Sequence, residues 1–240
     1  MRTGRECAIY LSFPEMKILI HECGIPSFAA FEQLGKVQLS DRDVSKALVS
    51  LIDKKMLVPS DDSYVMTQMC RDIVKILKNA RCVLICYGHM RSIPMTCIYV
   101  DGVDALTMQV DTHTSDMLRI TVIKVRDLVN EMSEYDFMPV CTDTGKSEQD
   151  KERMNKDIRK VSLDDSEKLL DDDNMLLLID RIKKDSDHRD MRLCVWKHPA
   201  DDMIEVTNGK NSRCVEYDRD ELFHMIDDMG NLREMEMNQP

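Results

Sequence analysis

The chain has 240 residues, 43% of them apolar and 32% charged, with a formal net charge of −11. That length can bury a real core as one large domain or two small ones. The acidic balance argues against a general affinity for nucleic acid, because displacing counterions from phosphates takes a basic face.

The charge is unevenly spread. Residues 1–132 carry 16 acidic and 16 basic side chains, residues 133–199 carry 17 and 13, and residues 200–240 carry 11 and 4. Nine cysteines lie at irregular spacing inside apolar runs such as RCVLICY and TCIYV, and no CxxC occurs. The pattern predicts small buried hydrophobes in a reducing cytosol rather than a disulfide framework. The opening MRTGRECAIYL lacks the apolar stretch of a secretory signal, and no apolar run reaches the ~18 residues of a membrane span. A cytoplasmic protein without a membrane span is therefore expected. The nineteen methionines suit irregular cores and also surfaces that accept helical partners.

In chain order, LSFPEMKILIHECG predicts a helix signed at both ends. Ser12 and Glu15 form a capping box, Pro14 lies in the first turn and Gly24 supplies the stop. IPSFAAFEQLG predicts a second short helix from about Ser27, ended by Gly35. Ser40 and Asp43 cap a third, whose Val44, Leu48, Leu51 and Ile52 recur at helical spacing. Residues 56–67 predict a hairpin with its turn at Pro59-Ser60-Asp61-Asp62. Thr67 caps a further helix carrying Cys70, Ile73, Val74 and Leu77.

RCVLICY, PMTCIYV, ALTMQVD and LRITVIKV then read as strands, with Asp101-Gly102 as a two-residue hairpin signal. RDLVNEM returns to helix. Residues 133–161 alternate charges without an apolar face and predict a linker or solvated helix. Ser162 and Asp165 begin another helix, which NMLLLIDRI continues or restarts. MRLCVWK, MIEVT and SRCVEYD predict strands, the last two joined at a type I′ signal, Asn208-Gly209. RDELFHMIDDMG closes the chain as a helix with Gly230 just past its end. The expected organisation is a winged-helix-like segment plus first α+β unit at 1–132, a charged linker at 133–161, a second α+β unit at 162–232 and a tail at 233–240. The expected fold class is α+β, with two quasi-twofold repeated units and antiparallel sheet.

Motifs for chemistry are weak. Gly145-Lys146-Ser147 supplies the end of a phosphate loop, but Val140 stands where glycine is required and a polar stretch follows. His21, His89, His113, His188, His198 and His224 show no helix-ligand spacing. Cys82 and Cys86 share a strand face with Cys97 possibly across the hairpin, yet core thiols are the plainer reading. Asp171-Asp172-Asp173 lacks the Gly and closing Glu of a calcium loop. No glycine-rich fingerprint, nucleophile elbow or HExxH occurs. The expectation is a protein that is not an enzyme, with no catalytic, cofactor or metal residues.

Residues 40–67 have the element order of a winged helix, which makes a transcriptional regulator the alternative function. Their charge argues otherwise. Asp41 and Asp43 occupy the first helical turn, Asp61 and Asp62 the wing, and Lys54-Lys55 lie at the helix end where they serve the dipole.

LSFPEMKILIHECGIPSF and SKALVSLIDKKMLVPSDDSYVMTQMCRDIVKIL resemble the opening of the EspG family of type VII (ESX) secretion chaperones, and the doubled strand-rich units that follow are similar in architecture. The resemblance implies a quasi-twofold α+β fold with a central antiparallel sheet and a cytosolic, non-catalytic protein that binds helical-hairpin secreted partners. The charged stretch at 133–161 departs from it. A helical ligand wants an apolar groove with a polar rim. Alternation places Thr96, Ile98 and Val100 opposite Met95, Cys97 and Tyr99, and Leu193, Val195 and Lys197 opposite Arg192, Cys194 and Trp196. Trp196, the only tryptophan, is either an interface anchor or an ordinary core ring. Asp201, Asp202, Glu205 and Glu216 are the expected acidic rim.

Overall fold

Strand periodicity dominates the chain after residue 81, and the strands it encodes join one sheet. The computed structural model describes residues 8–22, 24, 37–61, 63–88, 95–111, 113–114, 116–134, 163, 169–170, 172–183, 188–197, 202–209 and 211–231. The second short helix and the residues expected as linker between 135 and 161 lie outside these.

The first elements are β1 (Ile9–Ser12), α1 (Phe13–Glu22) and α2 (Asp41–Asp53). The hairpin β2 (Leu57–Ser60) and β3 (Ser63–Met66) follows, and then α3 (Gln68–Asn79). Four strands come next, β4 (Cys82–Gly88), β5 (Thr96–Asp101), β6 (Asp104–Val110) and β7 (Met117–Lys124). A 3₁₀ turn at Val125–Asp127 leads into α4 (Leu128–Glu134). Four more strands, β8 (Met175–Lys183), β9 (Arg189–Trp196), β10 (Met203–Asn208) and β11 (Asn211–Glu216), precede α5 (Arg219–Gly230).

The helix starts follow local chemistry. Ser12 and Glu15 exchange backbone-to-side-chain bonds, Ser40 and Asp43 do the same, and Thr67 and Asp218 accept from Cys70 and Glu221. Each such cap satisfies donors that the first turn leaves without partners.

Nine strands form one sheet in the order β1-β7-β6-β5-β4-β8-β9-β10-β11, every pair antiparallel. Two four-strand meanders, β4–β7 and β8–β11, therefore meet through their first strands, with Cys82 opposite Lys183 and Gly88 opposite Leu177. The hairpin β2–β3 is a separate two-stranded sheet. This is an α+β fold with a large antiparallel sheet.

The sheet has two covered faces. On one, Ile85, Cys97, Tyr99, Leu106, Met108, Leu118 and Ile120 pack under Met16 and Leu19 of α1, Ala47 and Leu51 of α2, and Ile73 and Leu77 of α3. On the other, Leu84, Ile98, Val100, Ile179, Leu193, Val195 and Ile204 pack under Leu128 and Met132 of α4 and Leu222, Met225, Ile226 and Met229 of α5. The alternation expected for β5 and β9 holds.

Several expectations are corrected. NMLLLIDRI is not helix but strand β8, paired on both sides. A central strand buried on both faces shows no alternation, and periodicity alone cannot tell it from a buried helix. β1 was not foreseen; its four residues add an edge strand beside β7. The β2–β3 turn sits after Ser60, which pairs with Ser63, so Pro59 and Ser60 are strand and not turn. Asp101 pairs with Asp104 and Asn208 with Asn211. Gly102 and Gly209, at φ +71 and +59, thus take the first loop position, where a II′ turn places glycine, rather than the second position of a type I′ turn. These two turns also join different strands of their meanders, second to third and third to fourth. Gly230 is the last residue of α5 and not the one beyond it, Asn231 being the cap.

Candidate partner-binding surfaces

Trp196 closes β9 between Met175 of β8 and Met203 of β10. Its ring is half-buried against the cluster of Leu169, Met175, Leu178 and Cys194, on which Tyr87 and Leu170 also pack. The indole Nε1 is shut from solvent and meets no hydrogen-bond partner among the described residues. An indole N–H normally finds one when buried.

Of the four carboxylates expected as a rim around it, Glu205 and Asp202 are buried instead. Glu205 is 2% exposed, and its Oε1 accepts from the Ser212 hydroxyl at 2.7 Å. The register explains this, because Glu205 lies opposite Cys194 and Cys214 on the inner face that also holds Arg192. Asp202 is buried as well, and its carbonyl accepts from the Tyr217 N–H. Glu216 is exposed at the end of β11, and Asp201 lies outside the described residues.

Behind Trp196 is a charge cluster not found in the sequence. Asp180 of β8 is fully buried, accepts from Arg192 Nε at 2.5 Å and Arg192 Nη2 at 3.3 Å, and forms an ion pair with Arg189, whose Nε lies 2.7 Å away without hydrogen-bond geometry. Arg192 is itself fully buried and also donates to the Leu163 carbonyl at 2.9 Å. Burial, and secondarily the charge of Asp180, raises the Tyr87 phenol above its ordinary range. On the other face, a register shift after Arg181 swings Asp190 beside it, at 3.0 and 2.7 Å. Burial pushes the Asp190 carboxyl up, but hydrogen bonds and charge from Arg181 and Lys183 outweigh it and hold the group below its usual range. Arg181 also donates to the Met229 carbonyl at 3.2 Å, capping the end of α5. Such charges satisfy one another and fix strand positions.

The thiols are placed by the same alternation. Cys82 and Cys86 face α5, while Cys97 faces α3 across the sheet, so the three do not converge. Among the described residues no group of His, Cys, Asp and Glu is arranged to hold a metal ion, and no helix is long and apolar enough to cross a membrane. The Gly145-Lys146-Ser147 stretch lies outside the described residues.

The hairpin β2–β3 carries the surface that reading by charge alone missed. Its root is held by buried Met56 and Leu57. Beyond the root, Val58 and Val65 face each other across the strands at 51% and 49% exposure, and Tyr64, opposite Pro59, is 49% exposed. Val58 and Val65 thus set two aliphatic side chains in water on one face of the ribbon, while Pro59 and Tyr64 stand on the other.

No family model and no curated protein matches the sequence. Among solved structures, the chain is similar to the type VII secretion system chaperone EspG5 of Mycobacterium tuberculosis, determined in complex with a PE25–PPE41 dimer. The TM-score is 0.53 at 6% sequence identity, over 93% of this chain and 94% of that one. The likeness is one of fold.

Proposed function

We propose that the chain is a non-catalytic cytoplasmic binding protein, a chaperone or adaptor that holds a helical-hairpin partner destined for type VII secretion. The observation that carries this reading is the likeness to EspG5 over nearly the whole length of both chains. On this reading the two meanders are pseudo-equivalent units, and α2 with its hairpin is the winged-helix-like segment in front of them. The exposed Val58 and Val65 face of the hairpin supports it, because an amphipathic helix lays its apolar face against such side chains. Trp196, with its shielded indole N–H, is a second contact, and Glu216 at the strand end favours basic residues beside the partner's apolar face.

Co-elution of the purified chain with small helical-hairpin secretion substrates from the same genome tests the reading. A complex is expected, and Val58→Asp with Val65→Asp weakens it while the fold is kept. Trp196→Ala separates anchor from core: a folded variant with weaker binding supports the contact. Absence of any complex with such substrates, with the chain shown to be folded, overturns the reading.

A further inference from the structure

β11 ends the sheet, and among the described residues it pairs only with β10. The ladder between them runs without a bulge from Asn208↔Asn211 to Met203↔Glu216, and Tyr217 extends it by donating its N–H to the Asp202 carbonyl at 2.7 Å. In an antiparallel ladder alternate residues turn their backbone groups to the partner strand and the residues between turn them away. Since Tyr217 bonds inward, Asn211, Arg213 and Val215 do so too. Ser212 and Cys214 then aim both N–H and C=O outward. Asn211, Ser212 and Arg213 are exposed and Cys214 is half-buried.

Edges are commonly protected by lysine, proline, a bulge or a covering element. β11 contains neither lysine nor proline and no bulge. Its one cationic side chain, Arg213, leans to Glu221 at 3.7 Å. The strand runs directly into exposed Glu216, Asp218 and Asp220, in a stretch where acidic residues outnumber basic ones by 11 to 4.

We propose that β11 is a docking edge that takes an extended peptide segment as a tenth strand, antiparallel, with lysine or arginine at the segment's N-terminal end. Antiparallel pairing is the mode of every neighbouring pair in the sheet, and it lays the start of the incoming strand beside the acidic end of β11. Main-chain bonds to Ser212 and Cys214 supply attachment, and the carboxylates select the charge. A second copy is disfavoured as the occupant, because each chain brings a net charge of −11 and like-charged bodies repel on approach. The edge is distinct from the helical-partner surfaces, so each reading can fail while the other stands.

The test uses fluorescent probes of about seven residues, the usual strand length, alternating valine and threonine with two lysines at the N-terminal end. Anisotropy with the full chain is expected to show saturable binding that weakens with salt. Replacing the lysines by glutamates is expected to cost roughly tenfold or more in affinity. Cys214→Pro deletes an outward N–H without touching the β10 ladder and is expected to abolish binding with an unchanged melting temperature. Should that variant not fold, N-methylation of the probe amides facing Ser212 and Cys214 makes the same deletion from the other side. Equal binding of lysine and glutamate probes, or undiminished binding after N-methylation, overturns the proposal. So does a concentration-dependent dimer that Cys214→Pro dissolves while no probe binds.

Discussion

Replacing Asp180 by alanine removes the carboxylate that accepts from the buried Arg192 guanidinium at 2.5 and 3.3 Å. At a separation of about 3 Å and an effective dielectric constant of about 20, the lost attraction is on the order of 5 kcal/mol. Part of this is offset because the carboxylate no longer has to be desolvated, and breaking a buried pair by removing one partner typically costs about 3–5 kcal/mol. Arg189, a third exposed, turns to water and adds under about 1 kcal/mol. The expected total is about 4 kcal/mol. With a urea slope of roughly 3 kcal/mol/M for a chain of this size, the unfolding midpoint falls by about 1.3 M with the slope unchanged. Pairing Asp180→Ala with Arg192→Met leaves no orphan charge and restores most of the loss, since apolar replacement of a buried pair is often near neutral. A single-variant shift below about 0.3 M, or a double variant as weak as the sum of the singles, refutes the argument.

Other expectations follow from local features. Burial raises the Glu15 carboxyl, but hydrogen bonds from Lys54, Ser50 and the Ser12 N–H, with the Lys54 charge, lower it further, to a net value below the ordinary 4.5. Its contribution to stability is therefore present above the unfolded value and lost as pH falls through the folded one. Lys54→Met, which leaves burial opposed only by Ser50 and Ser12, moves the acid-side decline in melting temperature to higher pH. Gly102→Ala places a side chain at φ +71 and costs about 1–2 kcal/mol, read as a lower thermal midpoint. The thiols of Cys82 and Cys214 are pushed up to about 12, chiefly by burial, and Cys86, Cys97 and Cys194 are raised by the same cause. Mass mapping after a brief maleimide pulse at neutral pH should find these five unmodified in the folded chain and modified in denaturant. Early labelling of Cys86 or Cys97 contradicts the packing.

What the sequence disclosed was local. Ser12, Ser40 and Thr67 cap helices through bonds spanning three residues, so their chemistry is legible without tertiary contacts. The hairpins were legible from Gly102 and Gly209, yet one residue out of phase, because only the closing pairs Asp101↔Asp104 and Asn208↔Asn211 settle which loop position glycine fills. β8 reads as helix because its apolar run shows no alternation, and the polar Asp180 and Arg181 within it find their partners only in the fold. Their partners, the buried Arg192 and the half-buried Arg189 and Asp190, arrive from the next strand. Glu205 shows the same limit: a carboxylate in an acidic stretch suggests surface until the register turns it inward to Ser212. Trp196 was legible as exceptional, and its shielded N–H was not, since that depends on tertiary packing.

The seam between the meanders bears on how the chain acquires its shape. Most strand pairs join neighbours in sequence and can zip as hairpins, but Cys82 meets Lys183 across almost half the chain. Closing a loop of that length costs roughly 4 kcal/mol of entropy before the seam returns anything. Each meander should therefore form early and the seam last, setting a slow rate for the whole. The chain between α4 and β8 keeps the two pieces at high effective concentration, and its Leu163 and Leu169 also pack into the second meander. Two separately made fragments, divided in that stretch, should find each other and rebuild the nine-stranded sheet at a rate that rises with their concentration.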